Sequence, residues 1–272
     1  MRTSALAAVV LAIVAAPLGA QNVHDVAAYF GTALTSGIEP PRVEQPMLGD
    51  NVNGWALNPF YSHQSASYWG SSDPFGAFGV NAFGGSVSTS ILAGRVGIEA
   101  MGGYLSFSCG SRCTGGFTGG GSAILRVLHA PLPFISGSRV TVSLRSAAAG
   151  SATDGNYVKY VSATAGLPIA ISAPASTYRI VGFLTPGITW ASVKAPGFIV
   201  SPSRPDTISQ IIGGGSIHQH DCGSGMLSGG LGLAPSTSGL GMSLGFQRIF
   251  VRRARTQFGA TLTYKLSGRS NR

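Results

Sequence analysis

Charge is what this sequence has least of. Only 10% of its 272 residues are Asp, Glu, Lys or Arg, where an ordinary soluble domain carries about 25%. That is too little to cover a soluble globule of this size with charge. Long apolar runs are missing too: beyond the N-terminus, no segment offers the ~20 consecutive apolar residues of a membrane-spanning helix. With three cysteines in the whole chain, a disulfide-built scaffold is excluded. There is no Gly-x-Ser-x-Gly elbow, no His-Glu-x-x-His helix and no Walker-type phosphate loop. The glycine clusters Gly119 to Gly121 and Gly213 to Gly215 lack the strand–turn–helix context of a nucleotide site.

What is plentiful is glycine, with 40 residues, and alternation. At the end of the chain Leu240, Met242, Leu244 and Phe246 share one parity, while Gly241, Ser243, Gly245 and Gln247 share the other. A basic turn follows. Then Phe258, Ala260, Leu262, Tyr264 and Leu266 alternate with Gln257, Gly259, Thr261, Thr263 and Lys265. Successive strand side chains point to opposite faces, so each arm has one apolar face and one polar or glycine face. A hairpin with lipid on one side and a polar interior on the other reads this way. Spreading apolar residues over every second position also explains how so little charge suffices.

The N-terminus predicts export. Met1 and Arg2 provide a positive start, Ala5 to Ala16 an apolar stretch too short to span a bilayer, and Pro17 to Ala20 a small-residue cleavage site. The residue after the cut is Gln21, not the Cys of a lipoprotein. The expected organisation is a signal peptide over 1–20, a periplasmic lead-in over 21–50, a barrel over 51–266 and a short periplasmic tail over 267–272. A short helix is expected from Asp25 to Leu34, ended by Pro40 and Pro41.

Candidate strands are 76–87, 92–106, 120–130, 138–149, 156–171, 177–193, 225–233, 238–249 and 256–266. A weak one over 51–62 contains Pro59 and is placed at an edge or rim. The alternation is clearest where Val140, Val142 and Leu144 oppose Arg139, Thr141, Ser143 and Arg145. The fold class expected is all-β: an antiparallel up-and-down transmembrane barrel of eight to ten strands. Connections 63–75, 107–119, 150–155, 194–224 and 250–255 fall at one end and are the longer set. Those at 88–91, 131–137, 172–176 and 234–237 fall at the other and are short. Long extracellular loops alternating with short periplasmic turns are expected of such barrels.

The last strand carries a further signal. Gln257-Phe258-Gly259-Ala260-Thr261-Leu262-Thr263-Tyr264 resembles the C-terminal assembly signal of bacterial outer-membrane β-barrels: a polar residue, a glycine two on, then two hydrophobic or aromatic residues separated by one. The resemblance implies that the barrel-assembly machinery reads Gln257, Gly259, Leu262 and Tyr264. The chain departs from the pattern by continuing to Arg272 instead of ending on an aromatic residue.

On the polar faces, Arg95, Glu99, Arg126, Arg139, Arg145 and Arg179 are expected to point inward, because a charge on the lipid face costs ~2–4 kcal/mol at mid-depth. Two readings are open: a positively lined, anion-favouring pore, or arginines paired with Glu99, backbone carbonyls and Tyr hydroxyls that plug a narrow barrel. Arg248, Arg252, Arg253 and Arg255 suit lipopolysaccharide phosphates, or form a solvated turn. Cys109 and Cys113 are spaced for a small disulfide. His218 and His220, beside Asp221 and Cys222, are weak metal candidates in an otherwise ordinary loop; no metal or other cofactor is expected. The expected partners are outer-membrane lipid and lipopolysaccharide and the assembly machinery, with the chain a monomer. An exported barrel does not meet nucleic acid, so the net charge of +9 is not read as a nucleic-acid surface. The alternatives in other classes are a barrel enzyme acting on lipid or peptide at the rim, where His129 sits near serines, and a secreted β-sandwich binding module.

Overall fold

The computed structural model describes residues 54–66, 78–108, 115–153, 159–196, 199–200, 208–209, 216–220, 224–250 and 256–266. Every regular element in it is a strand. In chain order these are β1 (Trp55–Ala66), β2 (Phe78–Ile91), β3 (Val96–Ser108), β4 (Gly116–Pro131) and β5 (Arg139–Thr153). β6 (Lys159–Gly166), β7 (Ile169–Ala175) and β8 (Tyr178–Pro196) follow. Three short strands, β9 (Ile199–Val200), β10 (Ile208–Ser209) and β11 (Ser216–His220), precede β12 (Ser224–Pro235), β13 (Gly239–Ile249) and β14 (Gln257–Lys265).

Antiparallel neighbours run from β1 to β5, then β6 with β7, then β8, β12, β13 and β14, and β14 pairs back onto β1. The ring therefore closes with ten staves, β6 and β7 sharing one. Closure removes the exposed edges that an open sheet must protect. It also corrects the expectation for the first strand. β1 is no edge strand; it pairs along its length with β2 and closes the ring on β14. Pro59 is accommodated because the β14 ladder skips from Leu57–Tyr264 to Phe60–Thr261 without a change of register, and a residue without an N–H is tolerated at such a gap.

Three further boundaries differ from expectation. The β2–β3 turn lies at Leu92 to Arg95, not 88–91, and Leu92, Ala93 and Gly94 all take left-handed backbone (φ 52°, 57° and 74°). The stretch Ser86 to Ser90 belongs to β2, and its alternate serines face inward. The β7–β8 turn is likewise later and tighter, centred on Ser176 (φ 58°) and Thr177. The stave expected over 156–171 is broken at Leu167 and Pro168. Pro168 offers its carbonyl to the N–H of Ser143, and Leu167 donates to Pro186 O, so the break keeps its neighbours tied.

Inward glycines let the strands come together closely. Gly230 faces Gly245, which faces Gly259, across β12, β13 and β14. A Cβ on Gly230 would meet Leu244 O at 2.3 Å and Phe183 Cε1 at 3.0 Å. The ring of Phe183 thus occupies the space beside Gly230, as that of Phe60 does beside Gly84, an arrangement in which an aromatic ring covers a bare patch of backbone.

The short turns 92–95, 132–138, 176–177 and 236–238 lie at one end, together with Trp55 and Leu266, where the ring begins and ends. The strand ends at Ala66, Phe78, Ser108, Gly116, Thr153, Lys159, Ser224, Ile249 and Gln257, which border the longer connections, lie at the other. These are the short-turn and long-loop ends below.

Candidate functional site

The inner wall is hydroxyl-rich, because the inward parity of nearly every stave is Ser, Thr or Gly. Among the described residues Glu99 is the sole carboxylate, and it is buried. Its two oxygens accept from Ser86 Oγ and from Ser122 Oγ, the latter at 3.2 Å. Asn58 extends the chain of contacts by donating to Ser86 Oγ at 3.1 Å and Ser88 Oγ at 3.3 Å. One polar network therefore links β1, β2, β3 and β4. Arg145 stands on β5 opposite Ile124, which is opposite Gly97. It is thus one inward position from the level of Glu99, toward the short-turn end. A carboxylate buried there is stable only with donors and a counter-charge, and Arg145 is the inward cation that the register places next to it.

A second cluster forms at the short-turn end. A bulge between Arg126 and Leu128 inserts one residue into β4. Val127 and Leu128 both face outward, 61% and 48% exposed, so that Arg126 and His129 can both face in. Arg139 Nη1 lies 3.3 Å from His129 Nε2, and His129 Nδ1 lies 2.9 Å from Thr141 Oγ1. A guanidinium only donates, so Nε2 is the acceptor and the ring proton sits on Nδ1, donated to Thr141. Arg179 Nη2 donates to Ser172 Oγ and to Gly137 O, each at 2.9 Å. Arg126 Nη2 donates to Ala93 O at 3.2 Å. These arginines bind carbonyls, hydroxyls and an imidazole rather than Glu99. The single lumen network expected from sequence is thus divided into two levels. Arg95 belongs to neither: it closes the β2–β3 turn and is exposed, because β3 begins only at Val96.

At the long-loop end a third polar row appears. Gln257 is buried and inward, donating to Ser62 Oγ at 3.0 Å, and it faces Gln247 across β13 and β14. Gly259 is inward as well, while Leu262 and Tyr264, each 50% exposed, point out. The proposed assembly signal therefore shows its polar half to the lumen and its apolar half to the surroundings.

The outer face decides what the object is. Tyr61, Phe83, Val87, Ile98, Leu144, Val161, Ile171, Leu184, Leu231 and Leu244 are large, apolar and exposed on staves all round the ring. A continuous apolar girdle of this extent is unstable in water, while the ring behind it leaves no backbone pairing open to lipid. The chain is an outer-membrane-type β-barrel.

No protein-family model matches the barrel's sequence, and no curated protein does. Solved structures similar to it include LpxR from Salmonella typhimurium, at 8% identity and TM-score 0.43, covering 78% of this chain and 99% of that one. The transport unit of the autotransporter AIDA-I from Escherichia coli is similar at 10% identity and TM-score 0.38, covering 89% and 98%. The outer membrane protease OmpT from Escherichia coli is similar at 8% identity and TM-score 0.34, covering 83% and 99%. These are likenesses of fold.

The remaining sequence candidates divide by place. Arg248 is exposed on the outer face of β13, one residue from its long-loop end. Arg252, Arg253, Arg255, Cys109, Cys113 and Cys222 lie outside the described residues, as do 1–53 and the tail. His218 and His220 are in β11, which pairs with β8 opposite Lys194 and Ser192. Among the described residues no group of three or more metal-ligating side chains forms, and no helix is long and apolar enough to cross a membrane. Sequence reasoning missed Asn58, Ser86, Ser122 and Gln247. Alternate serines on one face were the available signal for Ser86, but they resembled a turn.

Proposed function

We propose that this protein is a structural barrel of the bacterial outer membrane, closed at mid-depth and without a catalytic role, which holds its long loops at the cell surface. The observation that supports closure is the inner wall. Asn58, Ser122, Ser143, Ser162, Thr189, Ser243 and Thr263, from staves around the ring, are each 7% exposed or less. A lumen wide enough for solutes would leave that wall wet. A non-catalytic role is supported by His129, whose ring nitrogens are both taken by Arg139 and Thr141. In this reading the signal peptide over 1–20 directs export, the short-turn end is periplasmic and the chain is a monomer. Arg248, with Arg252, Arg253 and Arg255 in the adjoining loop, meets lipopolysaccharide phosphates, and Gln257, Gly259, Leu262 and Tyr264 are read by the assembly machinery.

The second reading is a narrow anion-favouring pore, favoured by Arg126, Arg139, Arg145 and Arg179 on the inner wall. Protein extracted from purified outer membranes should migrate differently before and after boiling, as a folded barrel does. It should show no steady conductance in a planar bilayer. A stable anion-selective conductance would replace the first reading by the second. Recovery in the soluble fraction with no heat-dependent shift would refute both.

A further inference from the structure

We infer that the short-turn mouth is an oxyanion-binding site, in which Arg126, Arg139 and Arg179, with the hydroxyl of Ser138, receive a phosphate or phosphoryl group. The first observation is convergence of like charge. Arg126 comes from β4, Arg139 from β5 and Arg179 from β8, each inward-facing and toward the short-turn end of its strand. Arg179 reaches Ser172, which stands opposite Arg139, and Arg139 in turn reaches His129, the inward neighbour of Arg126 on β4. Nothing among the described residues at this end is acidic, since Glu99 sits deeper in the lumen. Gathering repelling guanidinium groups on one small surface is unfavourable unless an anion joins them.

The second observation is unused hydrogen-bonding capacity. A guanidinium has five N–H donors, yet the bonds of Arg179 all leave from Nη2, and the bond of Arg126 likewise. Among the described residues, Nε and Nη1 of both have no partner. Ser138, between Gly137 and Arg139, is 1% exposed, and its hydroxyl makes no hydrogen bond. A buried hydroxyl without a partner is costly and uncommon in a folded protein. A tetrahedral oxyanion has acceptors enough for all of these donors, and arginine forks match its geometry.

The third observation is that the wall is shaped for this cluster. The β4 bulge turns Arg126 and His129 to the same side despite their odd spacing. Bulges recur where a strand re-aims a side chain. The site does not depend on whether the lumen conducts.

The test uses full-length protein refolded in detergent, with thermal stability read from the boiling-dependent gel shift. Inorganic phosphate is titrated at ionic strength held constant with chloride. The site predicts a saturable rise in the melting temperature that chloride does not give. Arg126→Gln and Arg179→Gln should each weaken the phosphate response about tenfold or more. Arg179→Lys keeps the charge but loses the fork, so it should weaken it less, and it serves if the glutamine variant does not fold. Glycerol phosphate separates the sources: a response equal to that of phosphate assigns a phosphomonoester headgroup, and none assigns the free ion. No saturable response in the wild type, or one that survives both glutamine variants unchanged, would overturn the inference.

Discussion

Leu244 and Leu240 lie on the same outer face of β13, 59% and 55% exposed, four residues apart. Leu244 is at the middle of the strand, between Leu231 and Ala260, and Leu240 is one residue from its short-turn end. Four residues span roughly 13 Å along a strand, and a tilt of about 40° reduces this to roughly 10 Å of depth. The apolar band of such barrels is about 25 Å tall, so Leu244 falls near its centre and Leu240 near its lower margin. An arginine at the centre costs ~2–4 kcal/mol and one at the margin ~0–1. Leu244→Arg should therefore destabilise the barrel by about 2 kcal/mol more than Leu240→Arg, roughly a thirtyfold difference in the folding equilibrium. Guanidinium titration of protein inserted in phospholipid vesicles, followed by tryptophan fluorescence, measures the two costs. Equal costs, or none at Leu244, would refute the reasoning, since they would mean that the outer face does not sit in lipid.

Two further variants probe the inside of the wall in the same assay. Gly230→Ala forces a Cβ against Leu244 O at 2.3 Å and Gly245 Cα at 2.9 Å, so about 1–3 kcal/mol should be lost. In Gly119→Ala the nearest atom is Met101 O at 3.6 Å, and a change within about 0.5 kcal/mol is expected. Glu99→Ala should cost about 3–5 kcal/mol by leaving Arg145 without its counter-charge, and Glu99→Ala with Arg145→Met should recover much of that loss. Strict additivity of the two single changes would show that Glu99 and Arg145 are not coupled.

Much of the wall was legible in the chain because lipid and lumen impose opposite demands on neighbouring residues. Val140 to Arg145 and Leu240 to Leu266 announce their two faces without help from the rest of the fold. The connection lengths gave the alternation of ends for the same reason: the two compartments hold loops of different size. Boundaries were misread where both faces are small or polar. In Ser86 to Ser90 the apolar residues thin to Val87, and the true reversal at Leu92 to Arg95 depends on three left-handed residues of which only Gly94 signals itself. The strand break at Leu167 and Pro168 does carry a signal, Gly166 and Pro168, which the expected stave over 156–171 ran through. The polar contacts were hidden for another reason. Asn58 meets Ser86, and Glu99 meets Ser86 and Ser122, across register set by the turns, and periodicity along one strand is blind to partners on the next. His129 faces the lumen only because of an inserted residue, which a strict count of two passes over.

That inserted residue behaves like a shift of reading frame in the wall. Before it, even-numbered residues of β4 belong to the interior; after it, odd-numbered ones do. Elsewhere on a stave, gaining or losing one residue would carry every side chain beyond it through the wall, placing serines in lipid and leucines in the lumen. At Arg126 to Leu128 the extra residue is absorbed in place, so the length of this stave and the identity of its inner face are set separately. The short-turn end can thereby hold His129 on the inner face beside Arg139, where the spacing of the upper strand would have sent it outward.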